Sequence, residues 1–346
     1  MTISDRIWYG AGAPDRLART ALAPFGVAFG GVVAVRNALF DRGVLLQHAV
    51  ELPTLSVGNL TVGGTGKTPI AAWFARELCS QGARPAIVLR GYGDDEPAVH
   101  RQLNPGVEVI VDKNRIRGIA SAANRGCDVA VLDDGFQHRK AVRVEDVVLV
   151  SADRWRQPVR MLPAGPWREP VTSLQRATLL LVTRKTASRD QALSLLTTLA
   201  PATRSGAGAI VSLQIDGMHA VHGDGRESVQ HLGGMRALVV AGIADPVGLA
   251  TQVRALGMHV ELMRFPDHHR YTAADVSRIM VGAKASERVV CTLKDAVKLR
   301  VMWPRQGLPL WYFSQRVEVE HGSEVLEGVL RRLMAARRPT TPITAG

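Results

Sequence analysis

Thr61-Val62-Gly63-Gly64-Thr65-Gly66-Lys67-Thr68 is the stretch on which the fold turns. It lies between 54–57, read as a strand, and a helical pattern over 68–80 in which Ile70, Phe74 and Leu78 share one face. Pro69 suits the first turn of that helix and Gly82 its stop. A strand, a glycine-lined loop and a helix opening on Gly-Lys-Thr together form a phosphate-binding loop. Gly63, Gly64 and Gly66 let backbone N–H groups close around phosphate oxygens, and the helix N-terminus adds partial positive charge. Thr61 to Thr68 are therefore expected to cradle a nucleotide, Lys67 to reach its β- and γ-phosphates and the Thr68 hydroxyl to ligate Mg²⁺. The first glycine of the usual loop is replaced here by Thr61.

Such a loop needs an acidic strand end. Val129-Ala130-Val131-Leu132-Asp133-Asp134 supplies it, so Asp133 or Asp134 is expected at the metal with Thr68. Apolar runs at 86–89, 107–111, 129–132, 147–150 and 179–182 read as buried strands of a parallel α/β sheet. The composition turns small and Gly-rich at 205–209, a candidate boundary. Beyond it come strands at 237–241, 259–263, 289–292 and 308–313, helices at 246–256 and 273–283, and a closing helix capped by Ser323. The expected fold class is α/β: a P-loop NTPase-type, mostly parallel sheet domain plus a second, smaller α/β domain. The divisions fall at 1–50, 51–205, 206–320 and 321–336, with a disordered tail at 337–346.

The stretch 20–35 holds no charged residue, is flanked by Arg16, Arg19, Arg36 and Arg42, and contains Pro24 and three glycines. Two readings stay open for it, a buried core helix or an interfacial membrane helix with arginines at the headgroups. The formal net charge of +12 favours an acidic partner. Aromatic residues make up 5% and no basic–aromatic stacking motif stands out, which speaks against nucleic acid. Three widely spaced cysteines exclude a disulfide framework and a zinc site.

No Asn-Lys-x-Asp guanine motif is present, and Gly58 to Gly66 contains no additional lysine of the partition-ATPase type. Further motifs decide among the remaining P-loop proteins. They are Arg90-Gly91-Tyr92-Gly93, Asp95-Glu96-Pro97, Asp133-Asp134-Gly135-Phe136-Gln137-His138, Leu162-Pro163-Ala164-Gly165-Pro166 with Arg168-Glu169-Pro170, Phe265-Pro266-Asp267-His268-His269, and Lys294-Asp295-Ala296-Val297-Lys298. In this order the chain closely resembles the tetraacyldisaccharide 4′-kinase (lipid A 4′-kinase) family from about Trp8 to Leu330.

The resemblance implies transfer of the ATP γ-phosphate to the 4′-hydroxyl of a tetraacylated glucosamine disaccharide 1-phosphate. It implies ATP and Mg²⁺ in a cleft between the domains, a membrane-associating N-terminal helix, an anionic membrane surface as partner and the cytoplasmic face of a bacterial inner membrane as location. No obligate protein partner is inferred. Asp95 is implied as the base for the sugar hydroxyl, paired with His268. Arg168 and Glu169 are candidates for the substrate phosphate or for support of the site, and Gln137 and His138 for nucleotide contact or orientation of the Asp pair. Two departures stand out. The Gly-Tyr-Gly and Asp-Glu-Pro motifs are almost fused, and Leu293 occupies a position where the family usually has Glu. The alternatives weighed are a membrane-attached NTPase switch without a lipid acceptor and a kinase for a soluble acceptor.

Overall fold

The computed structural model describes residues 3–91 and 95–337. Tyr92, Gly93 and Asp94 lie outside the described residues, as does the expected disordered tail beyond Arg337.

Two helices open the chain, α1 (Ile3–Tyr9) and α2 (Ala13–Asp41). Strand β1 (Thr54–Asn59) follows, then the glycine loop, α3 (Lys67–Ser80) and β2 (Pro85–Leu89). Next come α4 (Asp95–Leu103), β3 (Glu108–Val111), α5 (Arg115–Asn124), β4 (Val129–Asp133), β5 (Glu145–Ser151), β6 (Leu179–Arg184) and α6 (Arg189–Leu199). The later part holds β7 (Gly208–Ala220), β8 (Arg226–Ser228), β9 (Arg236–Ala241), α7 (Pro246–Ala255), β10 (His259–Arg264) and α8 (Ala273–Gly282). It closes with β11 (Arg288–Cys291), α9 (Leu293–Leu299), β12 (Leu310–His321) and α10 (Ser323–Ala335).

All the strands join one sheet, in the order β10-β9-β11-β12-β7-β6-β5-β1-β4-β2-β3, with β8 added alongside β7. Neighbours are parallel except where β7 meets β12 and β8. The long β7–β12 pair thus splices two parallel sheets edge to edge. Parallel strands covered on both faces read as continuous apolar runs, and β1, β2, β4 and β5 are buried at every position.

Helix α3 packs Ile70, Phe74 and Leu78 on one face of the sheet. Beside it, Leu326, Val329, Leu330 and Leu333 of α10 enter the same core, so the end of the chain closes the first sheet half. On the opposite face Phe136 and Trp167 pack with Leu195, Leu196 and Leu199 of α6.

Three sequence expectations change. Residues 205–209 run into β7, which takes part in both halves of the sheet. Strand β12 continues to His321 because antiparallel pairing with β7 extends the ladder that far. The cap of α10 is Gly322 at φ 76°, not Ser323, which is the first helical residue. Helix α2 is not a core helix, since among its residues only Gly26, Val33 and Phe40 are buried.

Candidate active site

Ligands of parallel α/β sheets bind beyond the carboxyl ends of the strands. A cleft of about 1700 Å³ lies there, lined by Val62 to Pro69, Asp133, Asp134 and the loops that follow β9, β10 and β11. The glycines bend the loop after β1 tightly against its neighbours. Gly66 sits at φ 86°, and a Cβ there would come within 2.5 Å of Leu213 Cδ1. A Cβ on Gly64 would come within 2.9 Å of Arg154 Nη1. Asn59, the fully buried last residue of β1, ties the loop from below. Its Nδ2 donates to Thr65 Oγ1 at 2.8 Å, and its Oδ1 accepts from Lys67 Nζ at 3.2 Å. Burial lowers the Lys67 pKa, and Asp134, whose Oδ1 lies 3.6 Å away, opposes that shift.

The two aspartates after β4 have different surroundings. Asp134, at φ 55°, receives both arms of the Arg168 guanidinium at 3.0 and 2.8 Å. Burial pushes its carboxyl up, but Lys67 and Arg168 outweigh that and hold it well below the usual range. Asp133 Oδ2 pairs at 2.8 Å with Nε2 of the fully buried His100. Asp133 Oδ1 is buried with no hydrogen-bond partner among the described residues. A buried anionic oxygen left open, with the Thr68 hydroxyl opening α3 on the same cleft, is a donor set that fits a hard divalent cation. Asp134 is already committed to Arg168 and Lys67.

Asp95 opens α4 and is only 5% exposed. Its Oδ2 lies 3.3 Å from His268 Nδ1 and 3.4 Å from Lys298 Nζ, so α4, the loop after β10 and α9 meet at one oxygen. Burial pushes the Asp95 carboxyl up, but pairing with His268 and the charges of Lys298 and Lys294 bring it to about 2. His268, held at φ 57°, is raised by the same pairing. Lys298 also donates to the His269 carbonyl at 3.2 Å, and Lys294 lies 4.0 Å from Glu96.

The remaining expected residues fall into two groups. Arg168, Gln137 and His138 line the cleft with Lys67, Thr68, Asp95, Asp133, Asp134 and His268. Burial first, then Arg115, Arg143, Lys140 and Arg36, depress His138 to about 4, so it is neutral at pH 7 and marks a strongly cationic wall. Thr61 and Glu169 lie off the cleft. Thr61 bridges to Trp167, and Glu169, 1% exposed, is held by Arg176, Gln137 and Asn37, which leaves it no oxygen for a substrate phosphate. Leu293 opens α9 and lines the cleft. His100 and Arg115 had no sequence signal, because their partners are brought to them only by the sheet, and Asn59 stood in the Gly58–Pro69 motif without a role. Lys298 was visible in its motif but carried no role.

Comparison with known proteins agrees with this architecture. The family model described as tetraacyldisaccharide-1-P 4′-kinase matches residues 18–101 and 94–335. A tetraacyldisaccharide 4′-kinase of Anaeromyxobacter sp. (strain K) is 36% identical, over 96% of this chain and 93% of its own length. One from Xanthomonas oryzae pv. oryzae (strain PXO99A) is 34% identical over 94% of both chains. Among solved structures, LpxK from Aquifex aeolicus, crystallised in complex with ATP, superposes with a TM-score of 0.70 at 24% identity, covering 91% of this chain and 99% of that one. With family and relatives matched over nearly the whole length, the chain belongs to the tetraacyldisaccharide 4′-kinase family.

Proposed function

We propose that the chain transfers the γ-phosphate of ATP to the 4′-hydroxyl of a tetraacylated glucosamine disaccharide 1-phosphate, at the cytoplasmic face of the inner membrane. The observation that carries the site reading is the Asp95–His268 pair facing the same cleft as the glycine loop. Phosphoryl transfer asks the protein mainly for alignment and charge stabilisation. The loop amides and Lys67 hold the β- and γ-phosphates. Thr68 and Asp133 would hold Mg²⁺, which would supply neutralisation of charge developing on the phosphates, while Asp134 keeps Lys67 and Arg168 in place.

Asp95 accepts the proton of the sugar hydroxyl as the hydroxyl oxygen bonds to the γ-phosphorus and the bond from that phosphorus to the β–γ bridging oxygen breaks, releasing ADP. A carboxylate near pKa 2 is a weak base for an alcohol, so neutral His268 completes the pair by taking up the proton through the shared oxygen. Lys298 keeps Asp95 ionised between turnovers. The cationic wall of Arg36, Arg115 and Lys140 suits an acceptor that carries its own phosphate.

Helix α2 has the length and composition to cross a bilayer, lies near the N-terminus and is largely unburied. One stripe of it is pressed onto the protein, where a Cβ on Gly26 would meet Met161 O at 3.1 Å and Ala164 Cβ at 3.3 Å. That seating favours a helix lying in the interface over one that leaves the protein to span the membrane.

The test is transfer from radiolabelled ATP to the disaccharide lipid in vesicles with Mg²⁺. A phosphorylated lipid that is stable to removal of the 1-phosphate is expected. ATP turnover that continues without any lipid product would overturn this function in favour of an NTPase switch.

A further inference from the structure

The inner-facing stripe of α2 does more than pack. Asn37, near its C-terminal end, sits between a cation and an anion. Its Nδ2 donates to Glu169 Oε2 at 2.9 Å, and its Oδ1 accepts from Arg139 Nη1 at 3.4 Å. Arg139, itself 5% exposed, also donates to the Asn37 carbonyl at 3.0 Å and to Asp41 at 2.6 Å, which pins this end of the helix. Its amide donates to the carboxylate through nitrogen and accepts from the guanidinium through oxygen at once.

The chain of bonds continues inward. Glu169 Oε1 accepts from Gln137 Nε2 at 3.1 Å, and the same Nε2 donates to the Asn59 carbonyl at 2.9 Å. Asn59 then holds Thr65 and Lys67 through its two amide atoms. Arg36, the neighbour of Asn37 in sequence, donates to the Gln137 carbonyl at 2.8 Å. Glu169 is almost fully buried, so an arm withdrawn from it would not be replaced freely by water.

We propose that Asn37 is a positioning residue for phosphoryl transfer, linking the seat of α2 through Glu169 and Gln137 to the Asn59 hub that sets the glycine loop and Lys67. The coupling runs through a continuous set of hydrogen bonds, with no contact between Asn37 and the nucleotide required. Its consequence is that displacement of α2 loosens the loop that grips phosphate. The inference rests on the kinase reading for its catalytic consequence but not for its structural one.

Two measurements on Asn37→Leu and Asn37→Ala keep those apart. Hydrogen–deuterium exchange of the nucleotide-free protein reads the loop itself, and exchange of the amides at 63–67 is expected to quicken while sedimentation with phosphatidylglycerol vesicles stays unchanged. Turnover with the vesicle-borne disaccharide is expected to fall about tenfold at unchanged KM for the lipid, the effect of one displaced hydrogen-bonded group. Adding Glu169→Gln to either variant is expected to cost little more than the larger single change, because both cut the same link. Leu keeps the bulk of Asn, so it carries the test if the alanine variant does not fold. Wild-type exchange at 63–67 in a folded variant overturns the proposal, as does a loss of turnover that simply tracks loss of vesicle binding. If the wild-type enzyme transfers no phosphate to the lipid, the functional reading falls, and loop exchange still decides whether Asn37 sets the loop.

Discussion

At the scale of single residues, two side chains converge on one oxygen of Asp95, His268 at 3.3 Å and Lys298 at 3.4 Å, and the charge of Lys294 adds to theirs. Asp95→Asn keeps the shape but cannot accept a proton, so kcat is expected to fall by about 10²–10⁴-fold with ATP affinity nearly unchanged, read by product formation and by equilibrium binding. On the proposed mechanism the pair also sets the pH dependence. His268 is raised above its ordinary 6.5, so it is protonated at mildly acidic pH and cannot take the hydroxyl proton. Activity should therefore climb through an apparent pKa above 6.5, and His268→Asn should remove that limb from the kcat profile. The stability contribution of Asp95 has the same sign at lower pH. Its pKa falls from 3.8 unfolded to about 2 folded, so its contribution is present above 3.8 and is lost as pH drops toward 2. Acid melting curves of wild type and Asp95→Asn should converge in that window and stay apart above it. Little of this arrangement was legible from the residues alone. The glycine loop and Asp133-Asp134 declare themselves because their partners are strand and helix ends close in sequence. Asp95 and His268 entered only through family resemblance, since 173 positions separate them and no periodicity joins them. His100 and Arg115 had no signal because an isolated polar residue reads the same whether it faces solvent or a buried carboxylate.

At the scale of elements, the strands that were easy to read are those buried on both faces, where pairing and burial demand uninterrupted Val, Leu and Ile. Helix α4 was missed because it starts on the Asp-Glu-Pro motif and offers few apolar positions, Val99 and Leu103 among them. Strand β7 was missed because Gly206, Ala207, Gly208 and Ala209 suggest a flexible joint. In the structure a Cβ on Gly208 would meet Leu196 Cδ1 at 2.3 Å, so that glycine reflects close packing against α6. Helix α10 shows the opposite case. Its apolar stripe was plain, but its partner, the core beneath α3, lies more than two hundred residues earlier and was not. Leu333 is fully buried in that core. Leu333→Ala should remove about 2–5 kcal/mol of stability, seen as a lower urea midpoint, through lost transfer energy and the cavity left behind. Because α10 covers the sheet half that carries the glycine loop, a bound ATP analogue should recover part of the lost midpoint.

At the scale of the whole molecule, α2 presents two different faces. At 100° per residue, Leu17, Phe25, Val32 and Val35 fall within an arc of about 80°, and all four are exposed. Gly26, Val33, Asn37 and Phe40 lie on the opposite side, three of them buried and Asn37 bonded to Glu169. A helix of 29 residues is about 43 Å long, more than a bilayer's hydrocarbon thickness of about 30 Å, but one stripe of it, through Gly26, Val33 and Phe40, is committed to protein. On the proposed interfacial seating, the outward arc is the surface expected to meet lipid, and the net charge of +12 is expected to draw it to anionic headgroups. The two contributions separate by salt. Raising ionic strength should weaken binding to phosphatidylglycerol vesicles without abolishing it, since screening removes the electrostatic part and leaves the apolar one. Val32→Asp places a carboxylate on a side chain that is 68% exposed and has no core packing to lose. Its melting temperature and its turnover on detergent-dispersed acceptor should match wild type. Its sedimentation with vesicles should fall at least tenfold at every salt concentration, because a charge in the acyl boundary costs about 2.5–3.5 kcal/mol at full depth. Unchanged sedimentation would mean that a different surface meets the membrane.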